Sequence, residues 1–136
     1  MLREVARGLY VGSAGTERLL PVGEMRVIRL AHSLPVVGGF ALLRCPLVDF
    51  SPLPTSALAA VRAFADVHTD RALLVQCRMG LNRSASVAYM ILRMKHGLSH
   101  EVAVERLYVR QTNPAGEVMH WPTLETLSSV REWADS

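Results

Sequence analysis

The segment Cys77-Arg78-Met79-Gly80-Leu81-Asn82-Arg83-Ser84 sets a thiol, a guanidinium six residues on and a hydroxyl directly after it. A thiolate is a strong nucleophile, and it persists near neutral pH when cations or N–H groups surround it. A loop that leaves a strand and enters a helix can turn successive backbone N–H groups inward, forming a nest for an anion. Gly80 permits the positive φ that such a loop needs, and Asn82 tolerates it better than most residues. Arg83 would return over the pocket and grip two phosphate oxygens in bidentate fashion. Ser84 would donate a hydrogen bond to the sulfur and help it leave. Arg78, Met79, Gly80, Leu81, Asn82 and Arg83 are thus the expected phosphate-binding loop, with Cys77 at its base. Requiring Arg, Gly and Ser or Thr together at these offsets lowers the chance match for two cysteines to about 0.2%. Cys45 fails the pattern, with Val48 and Ser51 at the corresponding places.

A thiolate that attacks phosphorus needs a proton donor for the departing oxygen. The chain has four Asp. Asp66 falls within a helical pattern, Asp70 in the turn at the far end of the strand that precedes Cys77, and Asp135 in the C-terminal tail. Asp49 remains, at the mouth of a Pro-containing loop. If the strand before it runs parallel to Ala72–Gln76, Asp49 and Cys77 emerge on the same edge of the sheet. The plainer role for Asp49 is to cap Ser51 or the following helix.

The elements that must position these groups follow from periodicity. Residues 8–12 (GLYVG) and 26–31 (RVIRLA) read as strands, with one or two helical turns over 14–20 before Pro21. Residues 40–48 (FALLRCPLV) form an apolar run rich enough for a strand, although Pro46 argues for an edge or a strand end. Thr55 or Ser56 can cap a helix carrying Leu58, Val61, Phe64 and Ala65 to about His68. Residues 72–76 (ALLVQ) read as a compact buried strand. From Ser84 a helix carries Val87, Ala88, Met90, Ile91 and Met94 until Gly97 ends it. Another opens at Ser99 and runs to about Gln111. Residues 113–116 (NPAG) form a loop, and a last helix starts with Pro122 and carries Leu124, Leu127, Val130 and Trp133. This alternation implies one α/β domain over residues 1–136, with a central, mostly parallel sheet of about 4–5 strands flanked by helices and a helical C-terminal half. Ligands of such sheets bind at the carboxyl ends of the strands, and Cys77 stands at such a junction.

Composition narrows the class. The chain has 136 residues, 50% hydrophobic and only 6% aromatic, a mix that suits packed helices and parallel strands. No apolar run nears the roughly 18 residues that span a bilayer, and the charged N-terminus (MLREVARGLY) does not read as a signal peptide. A soluble, cytoplasmic protein is expected, with no membrane partner. Fourteen of the 15 basic residues are Arg, against Lys95 alone, and the net charge is +3. These arginines are spread along the chain, unlike the basic runs of nucleic-acid tails; their plainer reading is a solvated surface, and they hint at anionic ligands without naming one. Two cysteines are too few for a disulfide framework or a structural zinc site. The five histidines (His32, His68, His96, His100, His120) read as surface or helix-end residues, since Gly97 and Ser99 separate the one pair at ligand spacing. No metal or other cofactor is expected.

At these residues the chain resembles the protein tyrosine phosphatase superfamily, and within it the compact dual-specificity branch. Cys77 through Ser84 matches the branch's loop. Residues 8–13 (GLYVGS) resemble its opening strand, 45–49 (CPLVD) the strand ending in its acid, 86–92 (SVAYMIL) the helix after its loop, and 109–111 (VRQ) its following helix. The resemblance implies metal-free hydrolysis of phosphate monoesters on protein side chains, phosphotyrosine foremost, with phosphoserine or phosphothreonine also admitted. Cys77 would form a phosphocysteine, Asp49 would act as acid and then base, and Arg83 with the loop amides would stabilise the equatorial oxygens. Gln76 departs from the His that usually precedes the nucleophile, and an amide hydrogen-bonds but carries no proton charge. Cys77 is therefore expected to remain activated but to be tuned differently. The interval of 28 residues from Asp49 to Cys77 is also short for the branch. Inositol-lipid members tend to carry further basic residues inside the loop; Arg78 is one, but Leu81 is not, which makes a highly charged headgroup less attractive. The alternatives are a silent phosphoprotein-binding module, a phosphatase of RNA 5′ phosphates or phosphoinositides, arsenate reduction or sulfur transfer, and a redox pairing of Cys45 with Cys77.

Overall fold

A computed structural model describes residues 2–19, 25–31 and 41–136. Five strands form the central sheet: β1 (Leu2–Ala6), β2 (Leu9–Gly12), β3 (Met25–Arg29), β4 (Leu42–Arg44) and β5 (Ala72–Gln76), in the spatial order β1-β2-β5-β3-β4. All neighbouring pairs are parallel except β1 with β2. The central strand β5 coincides with the segment expected from sequence. Lying between β2 and β3 with both faces covered, it reads as an uninterrupted apolar run, as buried parallel strands do.

The two faces of the sheet carry unequal cores. Leu9, Val11, Ile28, Leu73 and Val75 point to one side, where they meet α1 (Thr55–Ala65), α2 (Arg83–Met94), α3 (His100–Leu107) and α4 (Leu124–Asp135). Leu58, Val61, Val87, Ala88, Leu107 and Val130 are fully buried there, and each of the Leu and Val side chains contributes roughly 1.5–3 kcal/mol. Met25, Val27 and Leu74 form a second, smaller cluster on the opposite face.

Several boundaries differ from expectation for local reasons. The strand expected over residues 40–48 is confined to β4; Pro46 has no N–H to give. The chain still follows β3 as far as Leu47, whose N–H donates to the Leu30 carbonyl at 2.8 Å. Phe40 lies outside the described residues, as do His32, Leu20 and Pro21. The helical turns expected over 14–20 are one short 3-10 helix, Thr16–Leu19. Pro54, not Thr55 or Ser56, stands at the N-cap of α1, which ends at Ala65 rather than near His68. Ser99 does cap α3, accepting from Val102 N–H at 3.3 Å.

The helix expected to continue to Gln111 stops at Leu107. Residues 109–111 instead open β6 (Val109–Thr112), which pairs antiparallel with β7 (Val118–Trp121). The 113–116 loop is the turn between them. Asn113 Oδ1 accepts from the N–H groups of Ala115 (3.0 Å) and Glu117 (2.9 Å), the local bonding that makes Asn a turn former. The last helix begins at Leu124, two residues beyond Pro122. Strand β1 was also absent from the sequence reading.

Candidate active site

Cys77 follows β5 directly and is 2% exposed. Its Sγ accepts a hydrogen bond from Gly80 N–H at 3.2 Å and lies 3.2 Å from Ser84 Oγ. The chain therefore curls over the sulfur between the strand end and the first turn of α2. Gly80 makes this possible twice over. Its φ is +73°, and a Cβ there would stand 2.6 Å from the Gly12 carbonyl carbon and 2.7 Å from Ser13 N. The loop thus rests on the backbone at the end of β2, where Ala14 N–H also donates to the Arg78 carbonyl at 3.3 Å.

Asn82 does not adopt the positive φ expected of it; its φ is −113°. Its side chain is what matters. The amide Nδ2 donates to Asp49 Oδ1 at 2.7 Å and to Thr126 Oγ1 at 3.1 Å, while Oδ1 accepts from Thr123 N–H at 2.8 Å. One buried residue so ties the loop to the Asp49 segment and to the start of α4. Thr123 and Thr126 were missed from sequence, because their partner is distant and threonines at a helix start look like ordinary caps.

Asp49 comes to the same sheet edge as Cys77, as the parallel arrangement of β4, β3 and β5 requires. Its Oδ2 lies 3.7 Å from Arg83 Nε. Its Oδ1 also accepts from Phe50 N–H at 3.0 Å, so the local turn role and the approach to the loop coexist. Arg83 Nη1 donates to the Leu47 carbonyl at 3.0 Å, whereas its Nε is buried without a hydrogen-bond partner among the described residues. Of the remaining loop residues, Leu81 is 3% exposed and packs inward, and Arg78 and Met79 face solvent. Phe50, half exposed with φ +56°, leans on Trp121 at the end of β7, with ring centroids 5.9 Å apart.

Cys45 and Cys77 both lie level with Leu30, one residue past Arg44 and Gln76, but they sit on opposite sides of β3. Two strand spacings separate them by about 9.6 Å, beyond the roughly 7 Å between Cα atoms that a disulfide tolerates. Burial also pushes the Cys45 thiol up. The redox pairing finds no geometric support. A cavity of about 480 Å³ lies at the other end of the strands, lined in part by Arg7, Arg26, Asp70 and His96. Arg26 there donates to the carbonyls of Ala65, Val67 and Arg71, capping the end of α1, so its buried charge has a structural use.

No family model matches the sequence, and no curated protein matches it. Solved structures do. A mouse protein described as a candidate dual specificity phosphatase, solved with zinc tungstate, superposes with a TM-score of 0.71 at 27% identity, covering 98% of this chain and 86% of that one. Human DUSP28 gives 0.70 at 26% identity, over 99% and 96%. A human tyrosine phosphatase-like serine/threonine/tyrosine-interacting protein gives 0.72 at 17% identity, over 98% and 95%. The fold, with a Cys-x5-Arg-Ser loop at the carboxyl end of its central strand, is similar to that of compact dual-specificity phosphatases of the protein tyrosine phosphatase superfamily.

Proposed function

We propose that the protein is a cysteine-dependent phosphatase that hydrolyses phosphate monoesters on protein side chains, phosphotyrosine foremost. The observation that carries this reading is the sulfur of Cys77, seated under the Gly80 N–H and beside the Ser84 hydroxyl, with Asp49 and Arg83 converging on the same loop. In the first step Cys77 Sγ attacks phosphorus and the bond to the ester oxygen breaks. Asp49 gives that oxygen its proton, leaving a phosphocysteine and a carboxylate. In the second step the Asp49 carboxylate takes a proton from water as the water oxygen attacks phosphorus. The S–P bond breaks, Ser84 donates to the departing sulfur, and inorganic phosphate leaves.

Arg83 links the two steps. Its Nε, with no hydrogen bond among the described residues and Asp49 Oδ2 at 3.7 Å, is the donor a phosphate oxygen would meet, and an anion there would compete with Asp49 for the guanidinium. Preorganised donors of this kind usually supply the largest share of rate enhancement. The half-exposed side chains of Phe50 and Met79 flank the loop with apolar surface, which suits the ring of phosphotyrosine better than a polyanionic headgroup.

Steady-state hydrolysis of p-nitrophenyl phosphate tests the reading, with Cys77→Ser and Asp49→Asn as controls. Wild type should turn over, and Cys77→Ser should not. A panel of phosphopeptides, phosphoinositides and 5′-phosphorylated RNA then assigns the substrate, and phosphotyrosine peptides should give the highest kcat/KM. Phosphopeptide binding without turnover would make the protein a binding module instead.

A further inference from the structure

Three buried polar side chains lie behind the nucleophile, and the hydrolysis above uses none of them. Gly12, Gln76 and Arg29 stand in one row across β2, β5 and β3, so Gln76 and Arg29 leave the sheet on the same face. The 3-10 helix lays Glu17 on that face. Gln76 Nε2 donates to Glu17 Oε2 at 2.6 Å, and Arg29 Nη2 donates to Glu17 Oε1 at 3.1 Å. Gln76 is 0% exposed, and Glu17 and Arg29 are each 4% exposed. The row also reaches the loop. Gln76 Nε2 lies 3.4 Å from Thr16 Oγ1, which donates to the Ser13 carbonyl at 2.7 Å, and Gly80 rests on the Gly12–Ser13 backbone.

A buried ion pair is seldom retained for stability, because desolvation offsets the attraction; fixing one arrangement is its better-attested use. Here both oxygens of one carboxylate are engaged, one by the residue that precedes Cys77. Among the described residues, Arg29 Nε and Nη1 and Gln76 Oε1 have no hydrogen-bond partner.

We propose that Glu17 is a positioning residue for Cys77: with Arg29 it clamps Gln76, the last residue of β5, and so fixes the strand end from which the sulfur projects. The catalytic part of this inference rests on the phosphatase reading above. Because an amide cannot gain a proton, position 76 itself adds no ionisation beside Cys77. Glu17 and Arg29 face position 76, and Cys77 adjoins it. An imidazole placed there would meet the Glu17 carboxylate, which favours its charged form, while Arg29 opposes it.

The test compares wild type, Glu17→Asp, Glu17→Gln, Gln76→His and the Glu17→Gln/Gln76→His double variant. Two quantities are followed against pH: kcat and KM for p-nitrophenyl phosphate, and the rate of Cys77 alkylation by iodoacetamide. Glu17→Asp keeps the charge beside Arg29 but falls one methylene short of Gln76. It should fold, lose about tenfold in kcat with KM within about twofold, and alkylate at an altered rate. Gln76→His should add an ionisation that wild type lacks, and the double variant should move that ionisation about one unit lower. Wild-type kcat and alkylation in Glu17→Asp, or one pH profile shared by Gln76→His and the double variant, would overturn the clamp. If wild type itself does not turn over, the phosphatase reading fails while the alkylation series still decides the role of Glu17.

Discussion

Asn82, Gly80 and Cys77 divide the work of the loop in ways that residue type reveals unevenly. Cys77, Arg83 and Ser84 stand out because few other roles explain a thiol, a guanidinium and a hydroxyl at that spacing. Gly80 is legible as a turn residue, yet its tighter constraint is the Gly12 backbone lying against it. Gly80→Ala should therefore cost at least about 1–3 kcal/mol in urea unfolding from strain alone, and kcat should fall by more than the stability loss explains. Asn82 was readable only as a turn former; its bonds to Asp49, Thr123 and Thr126 join residues far apart in sequence. Asn82→Ala should lower kcat by about tenfold or more as Asp49 loses its anchor. The loss should be larger on alkyl phosphates, which need the acid, than on p-nitrophenyl phosphate, which hardly does. Equal losses on both substrates would contradict that role. Glu17 and Arg29 escaped notice because charges in a short apolar strand and at a helix start look like solvated ones.

At the scale of elements, what was legible depended on burial. Strand β5 and helices α2 and α4 have apolar stripes or runs that only one structure type satisfies. Strands β6 and β7 are mostly exposed, so no alternating apolar face distinguishes them from the end of α3. Strand β1 carries Arg3 and Glu4 and lies at the sheet edge, with the same result. Arg3 donates to the Leu107 carbonyl and Arg106 to the Val5 carbonyl, long-range bonds that fix β1 beside the end of α3 and that no local pattern encodes. The α2–α4 contact offers a pH test. Arg93 donates to Asp135 at 2.6 Å, and chiefly through that bond the Asp135 carboxyl is held below its ordinary value of 3.8. A depressed carboxyl stabilises the fold above its unfolded value, and that contribution is lost as pH falls through the folded value. Asp135→Asn should have a lower Tm than wild type at pH 7, and the gap should close as the carboxyl protonates on acidification. A gap that persists unchanged in acid would show that the ion pair is not its cause.

Across the whole molecule, parallel strands deliver the ends of β2, β4 and β5 to one edge, where Gly12, Asp49 and Cys77 meet. The fold class was legible because alternation of strand and helix leaves few arrangements. That Asp49 and Cys77 share that edge followed from the parallel reading of their strands, whereas the approach of Gly12 to Gly80 and the bond of Asn82 to Asp49 are products of topology and awaited the structure. The same topology sets Cys45 and Cys77 on opposite sides of β3. Mild oxidation should accordingly leave both thiols titratable in the monomer, as counted by thiol labelling under denaturing conditions; rapid loss of both together would place them closer than the sheet allows. The large core should dominate stability. Leu58→Ala, at a fully buried position of α1, should cost about 2–5 kcal/mol in urea unfolding.

The account turns on a covalent bond between Cys77 and phosphorus. Rapid acid quenching of wild-type protein during turnover of p-nitrophenyl phosphate, followed by peptide mass spectrometry, looks for that bond directly. One phosphoryl group on the peptide containing Cys77, enriched in Asp49→Asn and absent from Cys77→Ser, is the expected result. Turnover that leaves Cys77 unmodified, or that survives its replacement by serine, would contradict the account.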